Sequence, residues 1–272
     1  MRIGRILKSP DHQEHEPNCP RVDRFPVATF RKIVDDKRQR WHSLRTIMNA
    51  IRSINRTGNQ WRELDSTYPP WQSVYYHFRQ FRLRGIWEEL LAKLVIKERV
   101  RQQRNQTPSL VAIASQSVKI MQFIEEETGL DANKKINGRK RSIAVDRLGL
   151  PWSLAVTAAS TSDNEAGKLV VDRLNGKVPR LEVIAADPVE QGYGWRVEIA
   201  QKPESGRGFV PEKNRWPVER SFGWLNFRRR LFRDVEKTVE SSPGRRCAGH
   251  VANCLHFHSH QQTRQIKRQN II

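Results

Sequence analysis

The spacing of apolar residues changes character at Pro108, and that change limits the folds open to the chain. Before it, apolar side chains recur every three or four positions. Leu44, Ile47, Met48, Ile51 and Ile54 fall on one helical face that starts after Ser43 and ends at Gly58. Pro69 and Pro70 interrupt the pattern, Val74, Phe78 and Phe81 resume it, and Gly85 stops it again. Leu90, Leu91, Leu94 and Val95 define a third helix with a basic, Gln-rich end reaching Arg104. Beyond Pro108 the pattern turns strand-like, with a short apolar run at 110–114 that reads as a buried strand and further strands expected at 142–145, 154–158, 181–186 and 195–200. A turn at 148–151 joins the second and third of these runs. Ser162 and Glu165 have capping-box spacing and open a helix through Leu174, and a long helix is predicted over 215–233. The fold class is therefore α/β: a mixed sheet with flanking helices, preceded by a helical, helix-turn-helix-like N-terminal domain.

This divides the chain into a poorly ordered basic segment (1–42), a helical domain (43–104), an α/β domain (108–240) and a basic His-rich tail (241–272). Phe25, Val27, Phe30 and Ile33 keep open an amphipathic start to the first domain instead. Charge then narrows the partners. Lys and Arg number 49 against 29 Asp and Glu, a net charge of +20, which calls for a polyanion. A membrane is the competing polyanion, but no stretch approaches the roughly 18 apolar residues needed to span one. The first ten residues are too poor in apolar content for a signal peptide. Three cysteines, an odd number, fit a reducing cytoplasm, and the expected location is cytoplasmic and nucleoid-associated.

Cutting and rejoining nucleic-acid strands needs an activated oxygen nucleophile and neutralised phosphate charge, which two Mg²⁺ ions supply together. Such ions take oxygen ligands, so the pattern to seek is two or three carboxylates at strand ends and on a nearby helix. Asp187 directly follows the apolar run 181–186 and precedes the turn Gly192-Tyr193-Gly194. Glu219 lies in Arg215-Trp216-Pro217-Val218-Glu219-Arg220-Ser221-Phe222-Gly223-Trp224, on the last predicted helix. Here the sequence resembles the DDE transposases of insertion sequence five and its relatives. The same resemblance covers Gln60-Trp61-Arg62-Glu63-Leu64, Pro69-Pro70-Trp71-Gln72-Ser73-Val74-Tyr75-Tyr76-His77-Phe78, Gly138-Arg139-Lys140-Arg141, Val145-Asp146 and Leu148-Gly149, a span of about 43–240.

The resemblance implies an RNase H-like sheet, three metal-binding carboxylates, and Mg²⁺ or Mn²⁺ as cofactor. It also implies double-stranded DNA as partner, both transposon ends and target, in an assembly that can be a homo-oligomer. Carried over, the catalytic and metal-binding residues are Asp187 and Glu219. The first carboxylate of the family stands directly before Ser-Gln-Ser-Val-Lys, which here is Ser115 to Lys119, and the residue before it is Ala114. A second departure is Pro188-Val189-Glu190 between Asp187 and the glycine turn. The implied function is transposition: binding terminal inverted repeats, then metal-dependent cleavage and strand transfer, impaired in this copy by Ala114. The alternative is a catalytically inactive DNA-binding protein derived from a transposase, and an RNA-binding protein is a third reading with charge as its sole support.

The DNA backbone is expected to meet Lys119, the cluster Lys134, Lys135, Arg139, Lys140 and Arg141, and Arg228, Arg229 and Arg230 on the helix that carries Glu219. Asp146 and Asp163 stand near strand ends as weak stand-ins for the missing carboxylate. Trp71, Tyr75 and Tyr76 read as core aromatics rather than stacking platforms. The tail's Cys247, His250, Cys254, His256, His258 and His260 fit none of the usual structural-zinc spacings.

Overall fold

A computed structural model describes residues 27–34, 41–121, 124, 126–186, 195–199 and 216–236. Its first half is helical: α1 (Val27–Val34), α2 (Leu44–Thr57), a 3-10 turn (Trp61–Glu63), α3 (Trp71–Leu83) and α4 (Ile86–Arg101). The ends of α2 follow from its sequence. The Ser43 hydroxyl accepts from the Thr46 backbone N–H, and Gly58, at φ +81°, donates its N–H to the Ile54 carbonyl. A side chain at 58 would be strained in that conformation, and its Cβ would stand 3.1 Å from the Arg229 Cβ. Phe81 anchors the bundle, edge-on to Phe30 at 5.2 Å and to Trp87 at 5.7 Å.

The expectation of a poorly ordered 1–42 is corrected by α1: Phe30, Ile33 and Val34 are buried against the other helices. This is the amphipathic start that Val27, Phe30 and Ile33 left open in the sequence. Residues 1–26, with Phe25, and the tail 241–272 lie outside the described residues.

The second half is a mixed sheet built from β1 (Leu110–Lys119), β2 (Gly129–Asp131), β3 (Ile136–Asp146), β4 (Pro151–Ala158), β5 (Val183–Ala186) and β6 (Arg196–Ile199). β1 is central. It runs antiparallel to β3, which also pairs with β2 and β4, and parallel to β5, which pairs in parallel with β6. The parallel crossover uses α5 (Asp163–Asp172), capped by the Ser162 hydroxyl accepting from the Glu165 N–H at 3.2 Å. Two helices complete the fold, α6 (Trp216–Asn226) and α7 (Arg229–Phe232), where one long helix was expected.

Alternation along the strands sends their apolar residues to opposite faces. Val111, Ile113, Ala144 and Ile184 share a core with Val170 and Val171 of α5 and with Leu174 just beyond its end. Ala112, Ile143, Val145 and Ala185 belong instead to a core shared with α6, α7 and the N-terminal helices. The break at Pro108 is thus a change of secondary structure with one continuous core across it. A buried ion pair reinforces the junction: Arg99 at the end of α4 donates to Asp146 at the end of β3, and its Nε donates to the Asn105 carbonyl at 2.8 Å.

Candidate functional site

Ala114 lies in β1 opposite Ile143 of β3, partly buried against the core that includes Val218, Phe222 and Leu225 of α6. Ala114 and α6 therefore share one face of the sheet. α6 carries Glu219 in its first turn, exposed, while Pro217, Val218, Ser221, Phe222 and Leu225 face inward. The helix is held by the turn after Asp146. The Ser221 hydroxyl donates toward the Gly149 carbonyl at 2.8 Å, and a Cβ at 149 would stand 3.0 Å from that hydroxyl and 3.3 Å from the Pro217 carbonyl. Gly149, at φ +76°, is the residue that lets the two approach so closely. Asp187 comes next in the chain after Ala186, the last residue of β5, and itself lies outside the described residues, as do 188–194. The pairing of β1 with β5 ends with Ala112 opposite Ala185.

The two carboxylates weighed as stand-ins have other work. Asp146 is buried and accepts from Arg99, from the backbone N–H groups of Leu148 at 2.9 Å and Leu150 at 3.0 Å, and from the Trp152 indole at 3.4 Å. Its acceptor capacity is spent on the turn and the junction. Asp163 takes a hydrogen bond from the Lys140 ammonium at 2.9 Å in the first turn of α5. Asp131, which sequence reasoning passed over, is also engaged. Hydrogen bonds from the Ser117 hydroxyl and the Lys134 N–H hold its carboxyl below the usual carboxylate range.

The basic residues divide sharply. Lys119, Lys134 and Lys135 are exposed and cluster at one end of the sheet, since Lys119 pairs with Gly138 and the β2–β3 turn lies just beyond. Five residues of strand, about 17 Å, separate Lys119 from Ala114. Arg139, Lys140 and Arg141 were expected to offer charge to phosphate. Instead they are buried in β3 and committed to protein acceptors, which corrects that expectation. Arg139 donates to the Glu236 and Glu126 carbonyls, both at 2.8 Å, and pairs with Asp234 at 3.4 Å. Arg141 donates to the Leu231 carbonyl, and Lys140 to the Thr161 carbonyl as well as to Asp163. The alternation of the strand explains it. Arg139 and Arg141 turn to the α7 side and Lys140 to the α5 side, so a central strand with both faces covered takes all three inside.

Arg228, Arg229 and Arg230 do not continue the helix of Glu219, because α6 ends at Asn226. Arg228 is buried beside Arg56, and burial pushes its guanidinium down from its ordinary value. Arg230 donates to the Asn59 carbonyl at 3.0 Å and to Glu236 at 3.2 Å, tying α7 to the end of α2. Arg229 is exposed. Tyr75 and Tyr76 are also not core residues: they stand 42% and 52% exposed on α3. Among the described residues no group of three His, Cys, Asp or Glu side chains could hold a metal ion, and the Cys/His tail lies outside them. No described helix is long and apolar enough to cross a membrane.

Two family models match the chain. One, described as a transposase of the IS4/5 family, matches residues 26–91, and the other, described as a transposase DDE domain, matches residues 105–204. Together they take in more than half of the 272 residues. No curated protein and no solved structure matches it.

Proposed function

Because the chain belongs to the DDE transposases of the IS4/5 family, we propose that it binds the terminal inverted repeats of an insertion sequence and that its strand-cleaving site is disabled at position 114. In this reading the sheet is the RNase H-like core and the site is Ala114, Asp187 and Glu219. Ala112 lies opposite Ala185 in the parallel pair, and Ala114 and Asp187 each come two residues later in sequence. α6, which carries Glu219 in its first turn, packs on the face of the sheet to which Ala114 belongs, and this supports the reading.

DDE transposases generally use divalent metal, which polarises phosphate and activates the attacking oxygen. The donors present do not fit a metal pair. A methyl group has no lone pair to give, so with Ala114 the proposed set keeps two carboxylates, Asp187 and Glu219, and lacks the third. The observation that carries the reading is this alanine, in an otherwise regular strand between β3 and β5. DNA contact would come from the exposed cations Lys119, Lys134, Lys135 and Arg229, through a salt-sensitive term that positions without reading sequence.

The test is cleavage of a plasmid carrying the element's own ends, with Mg²⁺ and with Mn²⁺, by the parent chain and by Ala114→Asp. The parent should give no detectable product. The variant should recover activity, since losing a metal that stabilises the transition state costs on the order of several powers of ten in rate. Robust cleavage by the parent overturns the reading. Ala114 equally favours a descendant that occupies transposon ends without cutting them, and in that case Ala114→Asp restores nothing.

A further inference from the structure

The outward face of α3 is the longest acid-free exposed face among the described residues of the N-terminal helices; α1 also lacks acids but exposes only Arg31 and Lys32 of its described side chains. Gln72, Tyr75, Tyr76, Arg79 and Leu83 are exposed, at positions i, i+3, i+4, i+7 and i+11, while Val74, Phe78 and Phe81 hold the opposite side in the core. The helix carries no acidic residue at all. α4, beside it, exposes Glu88, Glu89, Lys93 and Lys97, and its Lys93 pairs with Glu89 at 2.7 Å, an ordinary solvated face. α2 has cations but shows little of itself, with Arg56 its one exposed residue.

We propose that this face of α3 is the surface laid against duplex DNA, an inference that rests on the DNA-binding reading above and locates it. The shape fits. Thirteen residues make a cylinder about 20 Å long and 10–12 Å across, matching a major groove about 12 Å wide. The chemistry fits as well. Arg79 supplies charge for a phosphate, and Gln72 offers the amide that can bond a base edge bidentately. Tyr75 and Tyr76 offer apolar faces with hydroxyl tips. Tyr75 is pre-positioned by Trp61, edge-on at 5.1 Å, so little side-chain entropy is left to lose on docking. Arg62, in the turn before the helix, sits over Trp71 at 5.9 Å and adds a second cation at the same end. Upstream of the helix the nearest acids in sequence are Glu63 and Asp65, and Asp65 is occupied with the Thr67 N–H at 2.8 Å; downstream they are Glu88 and Glu89 on α4.

The experiment is fluorescence anisotropy of the full chain on a labelled mixed-sequence duplex across a salt series. Arg79→Glu is compared with Lys97→Glu on α4, which changes net charge equally. Arg79→Glu should weaken binding about tenfold and lower the salt slope by about one, while Lys97→Glu costs under about threefold. Arg79→Gln should weaken it too, with its melting temperature unchanged because Arg79 is exposed. The double change Tyr75→Ala with Tyr76→Ala should also weaken binding, and because it removes the Tyr75 edge contact with Trp61 its melting temperature is measured alongside to confirm that the variant is folded. Equal losses from the two charge reversals would overturn the α3 assignment while leaving DNA binding intact. So would unchanged DNA affinity with an altered oligomeric state by light scattering, which would make the face a contact between copies. A parent chain that fails to bind duplex DNA would remove the functional reading and this inference together.

Discussion

α3 and β3 both carry clustered cations, and in the sequence they look alike: Arg79 and Arg82 on one, with Arg84 just past its end, and Arg139, Lys140 and Arg141 on the other. The folded chain uses them in opposite ways. α3 is covered on one side, so Arg79 stays in water, and Arg84 is turned back to donate to the Val34 carbonyl at 3.1 Å. β3 lies inside a sheet packed on both faces, so consecutive side chains have nowhere to go but inward. Each finds a carbonyl or carboxylate there. A helix can partition charge to one side, whereas a central strand cannot, and that difference separates cations able to meet DNA from cations that bind the molecule to itself.

The largest expected effect tests the buried member of the pair. Arg139→Ala would leave Asp234 buried without its guanidinium partner and strip the Glu236 and Glu126 carbonyls of a donor. The cost should be about 3–5 kcal/mol of unfolding free energy. Arg79→Ala should change stability by less than about 0.5 kcal/mol, as a surface substitution away from packing does. Denaturant unfolding of the two variants side by side checks the contrast, and equal losses would break it. A smaller effect sharpens the junction between the regions. Gly58→Ala forces a side chain into a left-handed conformation against Arg229, where α7 docks on α2, and should cost about 1 kcal/mol or somewhat more. Thermal melting reads this directly, and an unchanged midpoint would mean that α7 yields at no cost.

Much of the architecture was legible where local chemistry sets it. Ser43 and Gly58 delimit α2, and Ser162 with Glu165 opens α5, because caps are decided within a few residues. The sequence pattern starts β3 at 142, whereas the strand begins at Ile136, because three consecutive cations look like a solvated turn until the covering helices are known. β2 carries no strand pattern in its three residues and forms by pairing with β3. The break after α6 was hidden for a similar reason. The run from Trp224 to Phe232 continues a helical pattern, yet Arg228 is drawn into the interior and the chain restarts as α7 so that Leu231 can be buried. Of the candidate site, Ala114 and Glu219 could be picked out by motif, and the strand and helix that carry them could be expected from pattern. The commitment of Asp146 to Arg99 could not, since it depends on the meeting of α4 with the sheet, residues far apart in the chain.

The central claim is that position 114 is where a metal ligand has been lost. Mn²⁺ titration followed by electron paramagnetic resonance, on the full chain and on Ala114→Asp, tests it most directly, with Glu219→Gln added to the variant as the control. The account predicts weak binding by the parent, clearly tighter binding by Ala114→Asp, and loss of that gain when Glu219 is neutralised. If Ala114→Asp binds Mn²⁺ no better than the parent while remaining folded, position 114 is not part of a metal site and the claim is wrong.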